Sequence, residues 1–243
     1  MTRQQIHLVN DHLSTRILDR CSFTEYEQSL IEQLCIDSIY TVKDDFDKGL
    51  NLDLWTVENM ELAEHDPFGV LIASSPDDLG ASIPGESLLR SRQATFYPNR
   101  RATVQGRIQL PGESTRTETE FGFVNEDFSG TPILLESASV ARRGAESFGL
   151  AVRSPNVAGW YVAAGDSTGV ALTATTTRVE QGVWATFLLA TNEQGEVRLW
   201  VNGQHNNEMA QRTGMPVTKG HYVWVRGARA IDYLQVWQER TAL

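Results

Sequence analysis

The chain has 243 residues, 41% of them hydrophobic and 21% charged, with a formal net charge of −10 and a pI near 5.0. That is enough apolar material for one large domain with a packed core. The acidic balance argues against a nucleic-acid binder, which needs a basic face. No run of 18 apolar residues is present, so no helix is expected to cross a membrane.

Residues 1–40 contain neither Gly nor Pro, whereas the rest of the chain holds all 19 Gly and all 8 Pro. Ile6, Val9, Leu13, Ile17 and Cys21 recur at spacings of three and four, one stripe of a helix. Thr24 with Glu27 fits a capping box, and Tyr26, Leu30, Ile31, Leu34 and Cys35 line the face that follows. An N-terminal α-helical hairpin is expected, with helices at about 4–20 and 25–38. Helices this short are marginal alone in water. Residues 1–40 are therefore expected to be a docking or oligomerisation segment, with Ile6, Val9, Leu13, Ile17, Tyr26, Leu30 and Leu34 as its contact face. Cys21 and Cys35 are too few for a disulfide framework and are expected to act as small apolar residues. The opening "MTRQQIHLVNDHL" lacks the apolar core and cleavage site of a secretory signal, so no export is expected.

From residue 41 the pattern changes to strands. In "DDFDKGLNLDLWTV" (44–57), Asp44 and Asp45 are expected to close the helical segment and open the first strand, and Trp55 to pack inside. Strand-like runs follow at 68–74, 87–97, 101–110, 117–125, 148–154, 159–165, 169–179, 183–192, 196–203, 221–227 and 231–239. Many alternate polar and apolar, the mark of a strand with one buried face. "TNEQGE" (191–196) and "VNGQ" (201–204) carry hairpin-turn chemistry, and "IPGES" and "LPGES" carry type II turn chemistry. Many short strands separated by turns imply an antiparallel β-sandwich over 41–243.

The order of these phrases, "LDLWTV", "RIQL", "EFGFVN", "VWATFLLATNEQGEVRLWVNGQ" and "IDYLQVWQE", resembles the concanavalin A-like lectin/glucanase superfamily across about residues 42–240. The resemblance implies a mostly β fold, an antiparallel jelly roll. That fold hosts lectins, hydrolases and structural modules. Laminarinase-like glucanases of this superfamily carry Glu-x-Asp-x-Glu on one strand. Residues i, i+2 and i+4 share a face, so all three acids enter one groove, and retaining hydrolysis needs two carboxyls roughly 5–5.5 Å apart. Here "TETEFGF" supplies Glu118 and Glu120 but has Gly122 at the third position. The series is incomplete, no other catalytic motif is present, and the chain is expected not to be an enzyme.

A lectin site pairs an aromatic platform with polar groups, and "GWYVAAGD" offers Trp160, Tyr161 and Asp166. Trp160 and Tyr161 fall on opposite faces, so one is core and the other exposed. Trp55, Trp184, Trp200, Trp224 and Trp237 lie in apolar strands and are expected in the core. Two acidic loops, 74–80 and 125–130, have turn composition without calcium-ligand spacing. The five His are scattered, and no metal or cofactor is expected. Arg90, Arg92, Arg100, Arg101 and Arg107 gather along two strands, with Arg142 and Arg143 as a further pair. They form either a contact surface or ion pairs with nearby acids.

A glycan-type scaffold without an export signal, preceded by a docking segment, has the architecture of a tailed-phage virion protein. The leading expectation is a non-enzymatic decoration protein of capsid or tail. It would be made in the host cytoplasm, assemble as a homo-oligomer with virion proteins, and display its jelly roll toward host surface glycan. The alternatives are a free carbohydrate-binding lectin and a laminarinase-like glycoside hydrolase.

Overall fold

The computed structural model describes residues 39–46, 49–63, 69–73, 87–111, 118–125, 135–137, 140–141, 147–153, 160–166, 169–176, 179–180, 182–192, 196–211 and 219–239. They form two antiparallel sheets laid face to face and one short hairpin. Sheet A contains β1 (Ile39–Asp44), β3 (Met60–Ala63), β4 (Val70–Ala73), β6 (Thr103–Gln109), β13 (Trp184–Thr191), β14 (Glu196–Val201), β15 (Gln204–Gln211) and β17 (Ala230–Glu239). Sheet B contains β2 (Trp55–Glu58), β5 (Leu88–Ser91), β7 (Glu118–Val124), β10 (Ser147–Arg153), β11 (Trp160–Asp166), β12 (Gly169–Ala174) and β16 (Tyr222–Arg226). The hairpin is β8 (Leu135–Ser137) with β9 (Val140–Ala141).

The sheet orders are β15-β14-β13-β6-β17-β4-β3 and β12-β11-β10-β7-β16-β5-β2. β17 takes β6 along one edge; along the other it takes β4 at Ala230–Ile231 and β1 from Leu234 to Glu239. All eleven expected strand runs coincide with observed strands. The helical hairpin expected over 4–38, with its contact face, lies outside the described residues. The described residues hold no α-helix, only a three-residue 3-10 turn at Pro98–Arg100.

The interior is built by alternation. Phe121 and Phe123 of β7 and Trp160 and Val162 of β11 point inward, as do Phe187 and Leu189 of β13 and Leu234 and Val236 of β17. Phe187 joins the two sheets, its ring centroid 5.8 Å from Trp160 and 6.4 Å from Phe121. Trp55 is buried as expected, and Asp44 holds it there. One carboxylate oxygen accepts from Trp55 Nε1 at 2.9 Å and the other from Phe46 N at 2.9 Å. Asp44 therefore ends β1 rather than opening it, because the strand begins earlier, at Ile39. The "VNGQ" turn forms as read: Asn202 and Gly203 have φ of 50° and 77°, the left-handed pair of a type I′ hairpin.

His221 is a core histidine. Its ring lies 5.0 Å from that of Phe148, and its Nδ1 lies 2.8 Å from Lys219 O, to which the N–H donates. Nε2 is buried and has no hydrogen-bond partner among the described residues. Burial disfavours the imidazolium and lowers the pKa from 6.5 to about 4, against a smaller upward pull from the Lys219 carbonyl.

Candidate glycan-binding face

The face of sheet B turned away from the interior carries the chemistry. Because Phe121 and Phe123 face inward, Glu120, Gly122 and Val124 share the opposite face. Register then lines up two rows across the sheet. One runs Thr56, Arg90, Trp224, Gly122, Gly149, Ala163 and Leu172. The next runs Glu58, Leu88, Arg226, Glu120, Ala151, Tyr161 and Ala174.

The rows have a composition. Across β7, β10 and β11 the first is glycine and alanine, a flat floor. Gly122 and Gly149 face each other so closely that a Cβ on Gly122 would fall on Phe148 O and lie 2.7 Å from Gly149 Cα. Glycine inside a strand marks a place where a ligand or another backbone approaches closely. On one side of this floor stands Trp224, fully buried, whose indole Nε1 has no acceptor among the described residues. An indole N–H removed from water without an acceptor costs on the order of 1–3 kcal/mol. Next to it, the Arg90 guanidinium lies 4.8 Å from the centre of the Tyr222 ring. On the other side of the floor, Tyr161 is half-buried.

Glu120 is 1% exposed and stands directly opposite Arg226, itself buried. Opposed residues place their Cβ atoms about 5 Å apart, so a buried carboxylate faces a buried guanidinium. Two positions earlier in β7, the backbone of Glu118 lies opposite that of Arg153. The third position is closed to any side chain, because of the backbone of Phe148 and Gly149.

The other expected residues separate. Trp160 packs inward against Phe187 and is buried, while Tyr161 lies on the outer face, the split that alternation requires. Of the tryptophans expected in the core, Trp55, Trp224 and Trp237 are buried and Trp184 and Trp200 are half-buried. Trp224 is buried on the outer side of its sheet. The sequence held the signal for this: in "YVWVR", Val223 and Val225 take the core face, so Tyr222, Trp224 and Arg226 take the other. The arginines do not form one surface. Arg107 donates to Asp232 at 2.8 Å and Arg101 to Glu239 at 3.2 Å, and both lie on sheet A or its edge, away from Arg90. Ion pairing is the reading these two bear out.

No protein-family model and no curated protein sequence matches the chain. Solved structures do match. A protein of unknown function from Shewanella oneidensis MR-1 aligns with a TM-score of 0.56 and 13% identity, over 91% of this chain and 96% of that one. A glycoside hydrolase family 16 endo-glucanase from Bacteroides ovatus aligns at 0.53 and 12%, over 80% and 99%. A carbohydrate esterase from the Shiga toxin-encoding bacteriophage phi24B aligns at 0.51 and 12%, over 83% and 100%. The Emp47p carbohydrate recognition domain also aligns, at 0.50 and 12%, over 82% and 95%.

The chain therefore has the fold of the concanavalin A-like lectin and glucanase jelly rolls. Its likeness is to carbohydrate-recognising domains, to glucanases and to a phage protein. One expectation is corrected. The chain was expected not to be an enzyme because its acid series stops at Gly122. Its scaffold is one that carries endo-glucanases, from Bacteroides ovatus and from Streptomyces sioyaensis at a TM-score of 0.52. One incomplete motif is no ground for a non-enzymatic class. Among the described residues no helix is long and apolar enough to cross a membrane.

Proposed function

We propose that this protein recognises a glycan laid across the outer face of sheet B. The ligand lies over the Gly122–Gly149–Ala163 floor, between Trp224 and Tyr161. The observation that carries the reading is the pairing of that floor with the buried, unpartnered indole N–H of Trp224. A sugar ring meets such a surface well. Its C–H face stacks on the half-buried Tyr161 ring at the edge of the glycine and alanine row, and the Trp224 N–H is the buried donor left for a hydroxyl that reaches it.

Retention on immobilised β-glucans and on a glycan array tests the proposal, with reducing-end release measured in the same samples. Retention of one glycan class with loss of it in Tyr161→Ala is the expected outcome. Absence of retention on every glycan overturns the reading. Release of reducing ends that disappears in Glu120→Gln would assign the recognition to catalysis by that carboxylate.

A second reading places the domain on a tailed-phage particle, in capsid or tail. The likeness to the phage phi24B protein supports it. Mass spectrometry of purified particles carrying the gene tests it, and absence of the chain from the particles refutes it.

A further inference from the structure

The outer face of sheet A keeps large aromatic side chains open to solvent. Outward positions of a sandwich are normally polar. Here Trp184, Trp200 and Tyr233 are half-buried, Arg107 and His205 are exposed beside them, and Ile72 is 38% exposed. Their strands already fill the core with Phe187, Leu199, Leu234 and Leu71, so the sandwich itself does not call for rings outside. Register joins these groups into one surface. One row runs Glu61, Ile72, Ala230, Gln109 and Trp184 across β3, β4, β17, β6 and β13. The next runs Tyr233, Arg107 and Thr186, and the one after it Lys43, Gln235, Gln105, Leu188, Trp200 and His205. Arg107 is fixed in the middle. Its guanidinium lies 5.2 Å from the centre of the Trp184 ring and donates to Asp232 at 2.8 Å. Trp, Tyr and Arg are the residue types that carry most of the binding energy at protein interfaces.

We propose that two copies of the chain meet through this face, back to back about a two-fold axis. Charge selects the partner. Among the described side chains of the face, Lys43, Arg107 and Arg198 balance Glu61, Asp232 and Glu196, and Arg101 pairs with Glu239 at the rim. The whole chain carries −10, so its negative charge lies elsewhere. A basic partner would be drawn to that acid-rich remainder. A second copy, itself at −10, is repelled there and meets no net repulsion here. The size is sufficient. From β15 to β1 the face crosses six strands, and β6 runs seven residues along it, which spans roughly 25 Å each way. Two such faces bury on the order of 1,200 Å², the lower end of the range for specific interfaces. The two sheet B faces then point away from each other, one on each side of the dimer.

Sedimentation equilibrium of the full chain across a wide range of concentration tests the proposal, with each variant's fold checked by circular dichroism. The wild type is expected to be a dimer that dissociates on dilution. Arg107→Glu, at the exposed centre of the face, breaks the balance on both copies and should weaken the dimer at least about tenfold. Arg92→Glu makes the same change of charge at an exposed position just after β5, in the other sheet, and should leave the dimer as it is. A wild type that is monomeric at every concentration overturns the proposal. So does a dimer that survives Arg107→Glu, or one that Arg92→Glu weakens equally. Should Arg107→Glu fail to fold, His205→Glu, at another exposed position of the same face, replaces it: a weakened dimer supports the proposal and an unchanged one overturns it.

Discussion

His221 predicts how the stability of this fold depends on pH. Its pKa falls from 6.5 in the unfolded chain to about 4 in the folded one, because burial against Phe148 penalises the charged ring. The unfolded state therefore binds the extra proton between these values. Stability from this group is fully present above pH 6.5 and is lost as the pH falls toward 4. The shift of about 2.5 units is worth on the order of 3 kcal/mol, and about 2 kcal/mol of it is gone by pH 5. Urea denaturation of the wild type and of His221→Leu at pH 7, 6 and 5 measures it. The variant loses the Lys219 hydrogen bond at every pH, which offsets its curve without tilting it. The wild-type advantage is predicted to shrink by about 2 kcal/mol from pH 7 to pH 5. A constant difference between the two proteins would refute the neutral, buried imidazole.

Two further perturbations test the geometry. Gly122→Glu, which completes the acid series on paper, is expected to cost about 3 kcal/mol in urea denaturation and to create no glucanase activity, because its Cβ falls on the backbone of Phe148. A stable variant would show that β7 and β10 lie further apart. Asp44→Ala removes the acceptor shared by Trp55 Nε1 and Phe46 N and should cost about 2 kcal/mol, read by tryptophan fluorescence during unfolding.

Much of this fold was legible in the sequence, and the gaps have physical causes. Strands with one apolar set, such as "TVQGRIQ" and "WATFLLAT", declare both their existence and their inner face. β15, "QHNNEMAQ", has no such set. It is held as a sheet edge by the Asn202–Gly203 turn that delivers it to β14, so composition alone does not reveal it. β1 was obscured because its apolar Ile39 and Tyr40 continue an apolar helical pattern. In the site, the two-residue alternation of "GWYVAAGD" was legible but its phase was not. Phase follows from bulk: Trp160 and Val162 fill the core, and the small set, Ala163 and Gly165, with Tyr161 is left outside. The floor itself could not be read at all. It joins Gly122, Gly149 and Ala163 from three strands, and only register across the sheet brings them together.

The most direct test of the glycan-binding face is the affinity of the retained glycan for Trp224→Phe, which keeps an aromatic ring but removes the indole N–H together with part of the ring, with its fold checked by circular dichroism. Trp184→Phe, on the opposite sheet, serves as control. Calorimetry should show a loss of about fivefold to tenfold for Trp224→Phe, the worth of one hydrogen bond, and none for Trp184→Phe. Unchanged affinity in Trp224→Phe, with loss in Trp184→Phe, would move the site to the other face of the sandwich and contradict the account.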